Sequence, residues 1–220
     1  MRVLITGACG GLGGALAREL AGRGADLLLV DRQSRKLDAL SADIRAGGAS
    51  EPGVCALDFI KAGPEQAAEL ASIVARHYGG LDTLVHCAAR FSGLTPLDQM
   101  EPEEWFRTIH VNLHLPWLLT RDLLPALKRS AGGRIAFVLE GEKVLGQAYW
   151  GGYSVSKAAL ANLADILAQE LDGTPVEVFK FCPPPMRTSL RAEAFPAENP
   201  NDLTDPEFVA RELAELLAPQ

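Results

Sequence analysis

The chain has 220 residues, 48% hydrophobic and 22% charged, the composition of an ordinary globular protein with enough length for one good core. Its 28 acidic residues against 21 basic ones give a net charge of -7, which argues against a nucleic-acid surface, since that needs a basic patch. No apolar run approaches membrane-spanning length, and no secretion signal precedes Arg2-Val3-Leu4-Ile5, which already reads as a buried strand.

In chain order, strands are expected at Val3-Thr6, Asp26-Val30, Val54-Leu57, Thr83-Cys87, Arg134-Leu139 and Val176-Phe181. Helical patterns lie between them, near Leu12-Ala21, Arg35-Arg45, Pro64-Tyr78, Glu103-Arg129 and Tyr153-Leu171, with a last one near Pro206-Leu217. Strands that read as continuous Val, Leu and Ile belong to a parallel sheet covered on both faces. Regular alternation of strand and helix predicts right-handed crossovers and an α/β, doubly wound parallel sheet of about six strands in three α/β/α layers, a Rossmann fold. Pro183-Asn201 is the one long irregular stretch, and such stretches are commonly lids or binding loops. The four cysteines, Cys9, Cys55, Cys87 and Cys182, have no metal-ligand spacing, so no metal is expected and they read as reduced, buried thiols of a cytoplasmic protein.

Thr6-Gly7-Ala8-Cys9-Gly10-Gly11-Leu12-Gly13 follows the first strand. Gly7, Gly11 and Gly13 allow a sharp turn and close backbone approach, and the helix N-terminus that follows offers free N–H groups and positive dipole to a pyrophosphate. Asp31 closes the second strand, where an acidic side chain can hydrogen-bond the adenosine ribose and repel a 2′-phosphate; Arg32 beside it is the residue type that would accept one. NAD is therefore favoured over NADP. Tyr153 and Lys157 stand i, i+4 on one helix face. A nearby ammonium lowers the pKa of a phenol, and a phenol so tuned can pass a proton to or from a carbonyl or alcohol oxygen.

Taken together, T-G-x-x-x-G-x-G and Tyr153-Ser154-Val155-Ser156-Lys157 resemble the short-chain dehydrogenase/reductase family over Arg2 to about Phe208. The resemblance implies an NAD(P)-dependent oxidoreductase moving hydride between nicotinamide and a carbonyl or secondary alcohol. Tyr153 would be its acid/base and Lys157 its pKa tuner and ribose ligand. Asn112 would support a proton relay, although a helix asparagine bending its own turn is the alternative. Gly7, Gly11, Leu12, Gly13, Asp31, Arg32, Asp58, Phe59, Ala88, Pro183 and Thr188 would hold the cofactor together with Tyr153 and Lys157; Asp58 also reads as a turn residue. The resemblance further implies a single NAD(P)-binding domain over residues 1–220, with 183–205 as a substrate-side loop, a small-molecule substrate, no nucleic-acid or membrane partner, and a homodimer or homotetramer.

The sequence departs from the family pattern at four places. Glu140 stands where the family's catalytic serine closes the fifth strand, with Lys143 close by. A hydroxyl can donate a hydrogen bond to a substrate carbonyl, whereas an ionised carboxylate cannot; Glu140 or a water would take the serine's catalytic place, Glu140 as a donor only if burial keeps it protonated, an ion pair with Lys143 being the alternative. The Asn-Asn-Ala-Gly after strand four reads His86-Cys87-Ala88-Ala89, and the Pro-Gly after strand six reads Pro183-Pro184-Pro185. The sequence is C-terminally short, reaching Pro219-Gln220 where the family adds a seventh strand, so the sheet edge is expected to be covered some other way, another subunit being one. Arg187 and Arg191 could hold an anionic substrate, or be solvated or paired with Glu193. These departures support an alternative reading as a dinucleotide-binding sensor or interaction protein with weak or no turnover.

Overall fold

The computed structural model describes residues 1–141 and 143–218. Strands β1 (Arg2–Thr6), β2 (Asp26–Asp31), β3 (Gly53–Ala56), β4 (Thr83–His86), β5 (Gly133–Val138) and β6 (Val176–Phe181) pair in parallel in one six-stranded sheet, ordered β3-β2-β1-β4-β5-β6. The central strands are almost wholly buried, whereas β3 and β6, at the two ends of the sheet, are partly exposed. That is why the central strands read as continuous apolar runs.

Helices α1 (Gly11–Gly22), α2 (Ser34–Ala46), α3 (Pro64–Ile73), α4 (Pro102–Ile109), α5 (Leu115–Leu127), α6 (Gly151–Glu170), α7 (Ser189–Ala194) and α8 (Pro206–Leu216) complete the architecture. Because successive strand residues face opposite sides of a sheet, β1 feeds two cores. Leu4 joins Leu84, Phe137, Leu115, Leu119 and Leu160 on one face. Val3 and Ile5 join Leu16, Leu20, Leu37, Val85 and Leu213 on the other, where α1 packs against α8. The chain leaves β1 toward β2 on one side and reaches β4 on the other, so the order reverses between them. Ligands of open α/β sheets bind in the crevice at such a reversal, beyond the strands' carboxyl ends.

The structure differs from expectation in its finer detail. The helical stretches Pro64-Tyr78 and Glu103-Arg129 are interrupted by π-turns at Val74–Tyr78 and His110–His114. The second lies just before Pro116, which has no N–H to give the carbonyl one α-turn back and whose ring crowds it. The stretch expected to be irregular contains α7, N-capped by Thr188 Oγ1 accepting from the Arg191 N–H at 3.2 Å, and a short 3-10 turn at Pro200–Asp202. All four cysteines are free, but Cys9, Cys55 and Cys87 are half-buried and Cys182 is exposed, so the expectation of buried thiols is corrected. Pro219 and Gln220, on which the expectation about the missing seventh strand turned, lie outside the described residues. Among the described residues no helix is long and apolar enough to cross a membrane.

The glycine turn is sterically fixed. Gly7 has φ +67°, and a Cβ there would stand 2.6 Å from the Ala88 Cα. A Cβ on Gly13 would stand 2.2 Å from the Gly7 carbonyl oxygen. Gly13→Ala should therefore destabilise the fold by about 2 kcal/mol or more, the scale of a group forced into a filled site, and lower Tm by several degrees in a thermal melt. Gly22→Ala, whose Cβ would meet nothing within 4 Å, is the control and should be neutral or slightly stabilising.

Candidate active site

A cleft of about 400 Å³ opens at the carboxyl ends of the strands. One wall is the β1–α1 turn with Gly7, Gly11, Leu12 and Gly13; the next is the end of β2, with Asp31 and Arg32; Asp58 and Phe59 follow β3. Ala88 after β4, Glu140 after β5, Tyr153 and Lys157 from α6, and Pro183 and Thr188 after β6 close the other end. Every residue named from the sequence as a cofactor contact lines this one cleft. No side chain caps the N-terminus of α1, whose N-cap is Gly10, so its leading N–H groups take no side-chain hydrogen bond at the cleft. Free N–H groups at a helix start fit the diphosphate of a dinucleotide, and Thr188 packs so closely there that a Cβ on Gly11 would stand 2.6 Å from its Cγ2.

Asp31 is tied into the turn. Its Oδ2 accepts the Cys9 N–H at 3.1 Å and its Oδ1 the Gln33 N–H at 3.2 Å. Desolvation, then the Asp31 charge, pushes the Cys9 thiol up to about 11, so this cysteine is a poor nucleophile. Asp58 Oδ1 accepts the Ile60 N–H at 3.1 Å, the turn role that the sequence left open, while the residue also lines the cleft.

At the other end Tyr153 Oη donates to Glu140 Oε1 at 2.6 Å, and Lys157 Nζ donates to the Val138 carbonyl at 2.8 Å. The ammonium lies 5.8 Å from the Tyr153 ring centre. Both side chains are buried, Tyr153 at 3% exposure and Lys157 at 3%. The expectation that Lys157 lowers the phenol's pKa is corrected here. Burial, then the charge of Glu140 and its hydrogen bond, raise Tyr153 well above the ordinary tyrosine value. Burial lowers Lys157, against a rise from Glu140.

Asn112 is not brought into the cleft. It sits fully buried in the π-turn; its Oδ1 accepts the Arg90 N–H at 2.7 Å, and its Nδ2 donates to the Arg90 carbonyl and to Ser156 Oγ, each at 2.9 Å. Ser156 Oγ in turn donates to the Tyr153 carbonyl at 2.7 Å. Asn112 thus clamps the segment after β4 to the helix turn that carries the tyrosine. Arg187 and Arg191 are not free for an anionic substrate either. Arg187 pairs with Asp205, and Arg191 pairs with Glu198 at 2.6 Å and lies over Phe195, which leaves Glu193 unpaired among the described residues at the cleft mouth.

Sequence reasoning missed the apolar wall behind the tyrosine. Phe91, Trp150, Tyr153 and Phe195 pack ring against ring, with Phe91 edge-on to Tyr153 at 5.5 Å between centroids. Only Trp150, placed immediately before the Gly151-Gly152-Tyr153 run, carried a signal; Phe91 and Phe195 come from distant loops.

With this geometry in hand, the comparisons decide the family. Residues 1–199 match the model of the short chain dehydrogenase family. The chain is a member of the short-chain dehydrogenase/reductase family. It is 32% identical over 204 residues, 93% of this chain and 81% of the relative, to the uncharacterized oxidoreductase YciK of Escherichia coli K12. A solved structure described as a short chain dehydrogenase from Pseudomonas syringae superposes with a TM-score of 0.95 at 39% identity, covering 99% of this chain and 89% of that one. A second, from Shigella flexneri 2a and complexed with NADP, gives a TM-score of 0.95 at 30% identity, covering 99% and 91%. The chain spans 66% of the length of several mammalian relatives that it matches.

Proposed function

We propose that this member of the family is an NAD(P)-dependent oxidoreductase that interconverts a carbonyl compound and a secondary alcohol. The observation that carries the reading is the convergence of the α1 glycine turn with Tyr153 and Lys157 on one cleft. A nicotinamide dinucleotide bound there would accept or supply the hydride. Gly7, Gly11, Leu12 and Gly13 hold the diphosphate, Asp31 and Arg32 meet the adenosine ribose, and Asp58 and Phe59 flank the adenine. Ala88, Pro183 and Thr188 bound the nicotinamide end, and Lys157 reaches its ribose. Tyr153 keeps its proton at neutral pH because burial and Glu140 raise it, and an acid in its protonated form serves the reductive direction, delivering that proton to a carbonyl oxygen. Asn112 acts through the segments it clamps.

For the dinucleotide we carry NAD forward from Asp31, whose two backbone hydrogen bonds hold its carboxylate at the rim where a 2′-phosphate would be repelled. The Shigella neighbour holds NADP. Asp31→Ala should shift the NAD-to-NADP affinity ratio toward NADP by about tenfold, the scale of a hydrogen bond to a charged group together with relief of repulsion. An unchanged ratio in a variant of unchanged Tm shows that Asp31 does not read the ribose. The reading also places the enzyme in the cytoplasm as a homodimer or homotetramer, supported by the free cysteines and by Phe106 and Trp117 on α4 and α5, exposed at 69% and 47%.

A second reading, a dinucleotide-binding module without turnover, is favoured by one observation: the phenol's hydrogen bond is already given to Glu140. Titration with NADH and NADPH, followed by a panel of ketones and secondary alcohols, separates the two. Tight binding without turnover on the whole panel leaves the binding module; turnover that disappears in Tyr153→Phe leaves the enzyme.

A further inference from the structure

We infer that the substrate carries a hydrogen-bond donor, a hydroxyl or an ammonium, on the carbon next to the reacting one, and that Glu140 is the residue that selects it. The inference deepens the oxidoreductase reading above and rests on it for the identity of the reacting carbon.

Glu140 follows β5 at the inner end of the cleft and lines it beside Tyr153. Its carboxylate takes a single hydrogen bond among the described residues, from the phenol at 2.6 Å. Lys157, the nearest buried cation, gives its hydrogen bond to the Val138 carbonyl instead. Phe91 and Leu190, which line the same cleft, offer no polar side-chain group. A carboxylate with unused lone pairs in a half-buried, ring-lined pocket must be met by a donor from the ligand or from water. A plain ketone brings none. It also leaves the phenol proton engaged with Glu140, so it competes poorly for the one acid at the site. A ligand with a vicinal hydroxyl or ammonium meets both needs. Its donor takes over the Glu140 carboxylate, and Tyr153 Oη is then released toward the neighbouring oxygen. A serine at this position would instead stabilise any carbonyl, so Glu140 narrows the substrate range rather than abolishing the site.

The aligned arms are butan-2-ol, butane-2,3-diol and 3-aminobutan-2-ol, which differ only at the neighbouring carbon. Their binding to the protein saturated with dinucleotide is measured by calorimetry, which needs no turnover; oxidation of each, and reduction of butanone against 3-hydroxybutanone, is measured in parallel. Expected is binding of the diol or the amino alcohol at least about tenfold tighter than butan-2-ol, the scale of one hydrogen bond to a charged group. Which of the two binds tighter identifies the donor. In Glu140→Ser the discrimination falls to within about twofold, and the same variant's dinucleotide affinity and Tm report that it is folded. Equal binding of all three ligands, or a preference that survives Glu140→Ser, overturns the inference even if the protein turns over. A preference without turnover on any substrate keeps the recognition site and overturns the oxidoreductase reading instead.

Discussion

Tyr153→Phe is expected to lower carbonyl reduction by about 10²- to 10⁴-fold, the usual range for loss of a positioned general acid, with dinucleotide affinity retained. The substitution removes only the phenol oxygen. The ring stays in its packed place against Phe91 and Trp150, and Lys157 keeps its bond to the Val138 carbonyl. A stopped-time assay of kcat and a fluorescence titration with NADH read the two consequences separately. Loss of binding together with turnover would show that the hydroxyl holds the site's structure rather than the proton. The pH profile adds a sign. Burial first and Glu140 second raise the phenol's pKa, so its acid form persists through neutral pH and reductive kcat stays flat there, declining only on the alkaline side. Removing the carboxylate in Glu140→Ser lowers that pKa and moves the alkaline limb to lower pH. An unmoved limb would assign it to another group.

Much of this was legible in the chain because it depends on local pattern. The buried strands β1, β2, β4 and β5 show as continuous apolar runs since helices cover both faces, and the β1–α1 turn shows as glycines because a Cβ at Gly7 or Gly13 has no room. Tyr153 and Lys157 were legible as a pair, being one helical turn apart. What the sequence hid depends on distance across the fold. The phenol's raised pKa comes from burial and from its contact with Glu140, which forms only when β5 and α6 are packed together. Asn112 pairs with Arg90 and Ser156, not with the lysine. The π-turn that holds it depends on how Pro116 meets the preceding turn. Arg191 finds Glu198 rather than Glu193 because α7 ends at Ala194 and the chain folds back.

His86→Asn is expected to remove a large part of the protein's stability change between pH 6.5 and pH 5. His86 ends β4, fully enclosed between Thr120, whose Oγ1 lies 2.9 Å from Nε2, and the ring of Phe137, stacked at 4.9 Å. Its Nδ1 is buried with no partner among the described residues. Burial, and then the charge of Lys157, pushes its pKa down to about 3 from the ordinary 6.5. The unfolded chain therefore takes a proton on this ring as pH falls below about 6.5, while the folded chain refuses it until about 3. The contribution is complete above 6.5 and is lost on acidification across that window, at up to about 1.4 kcal/mol per pH unit. Between pH 6.5 and pH 5 the wild type should lose about 2 kcal/mol through this ring, measured by urea unfolding at the two values. Asp82, held well below the usual carboxylate range first by its hydrogen bond from Arg2, loses its contribution only at lower pH, below about 4.5, so it does not contaminate the interval. Asparagine does not titrate and is smaller than the imidazole, so His86→Asn should fit the site and show a nearly flat profile there. Parallel profiles for the two proteins would mean that the folded chain accepts the proton, with Nδ1 finding an acceptor by local rearrangement.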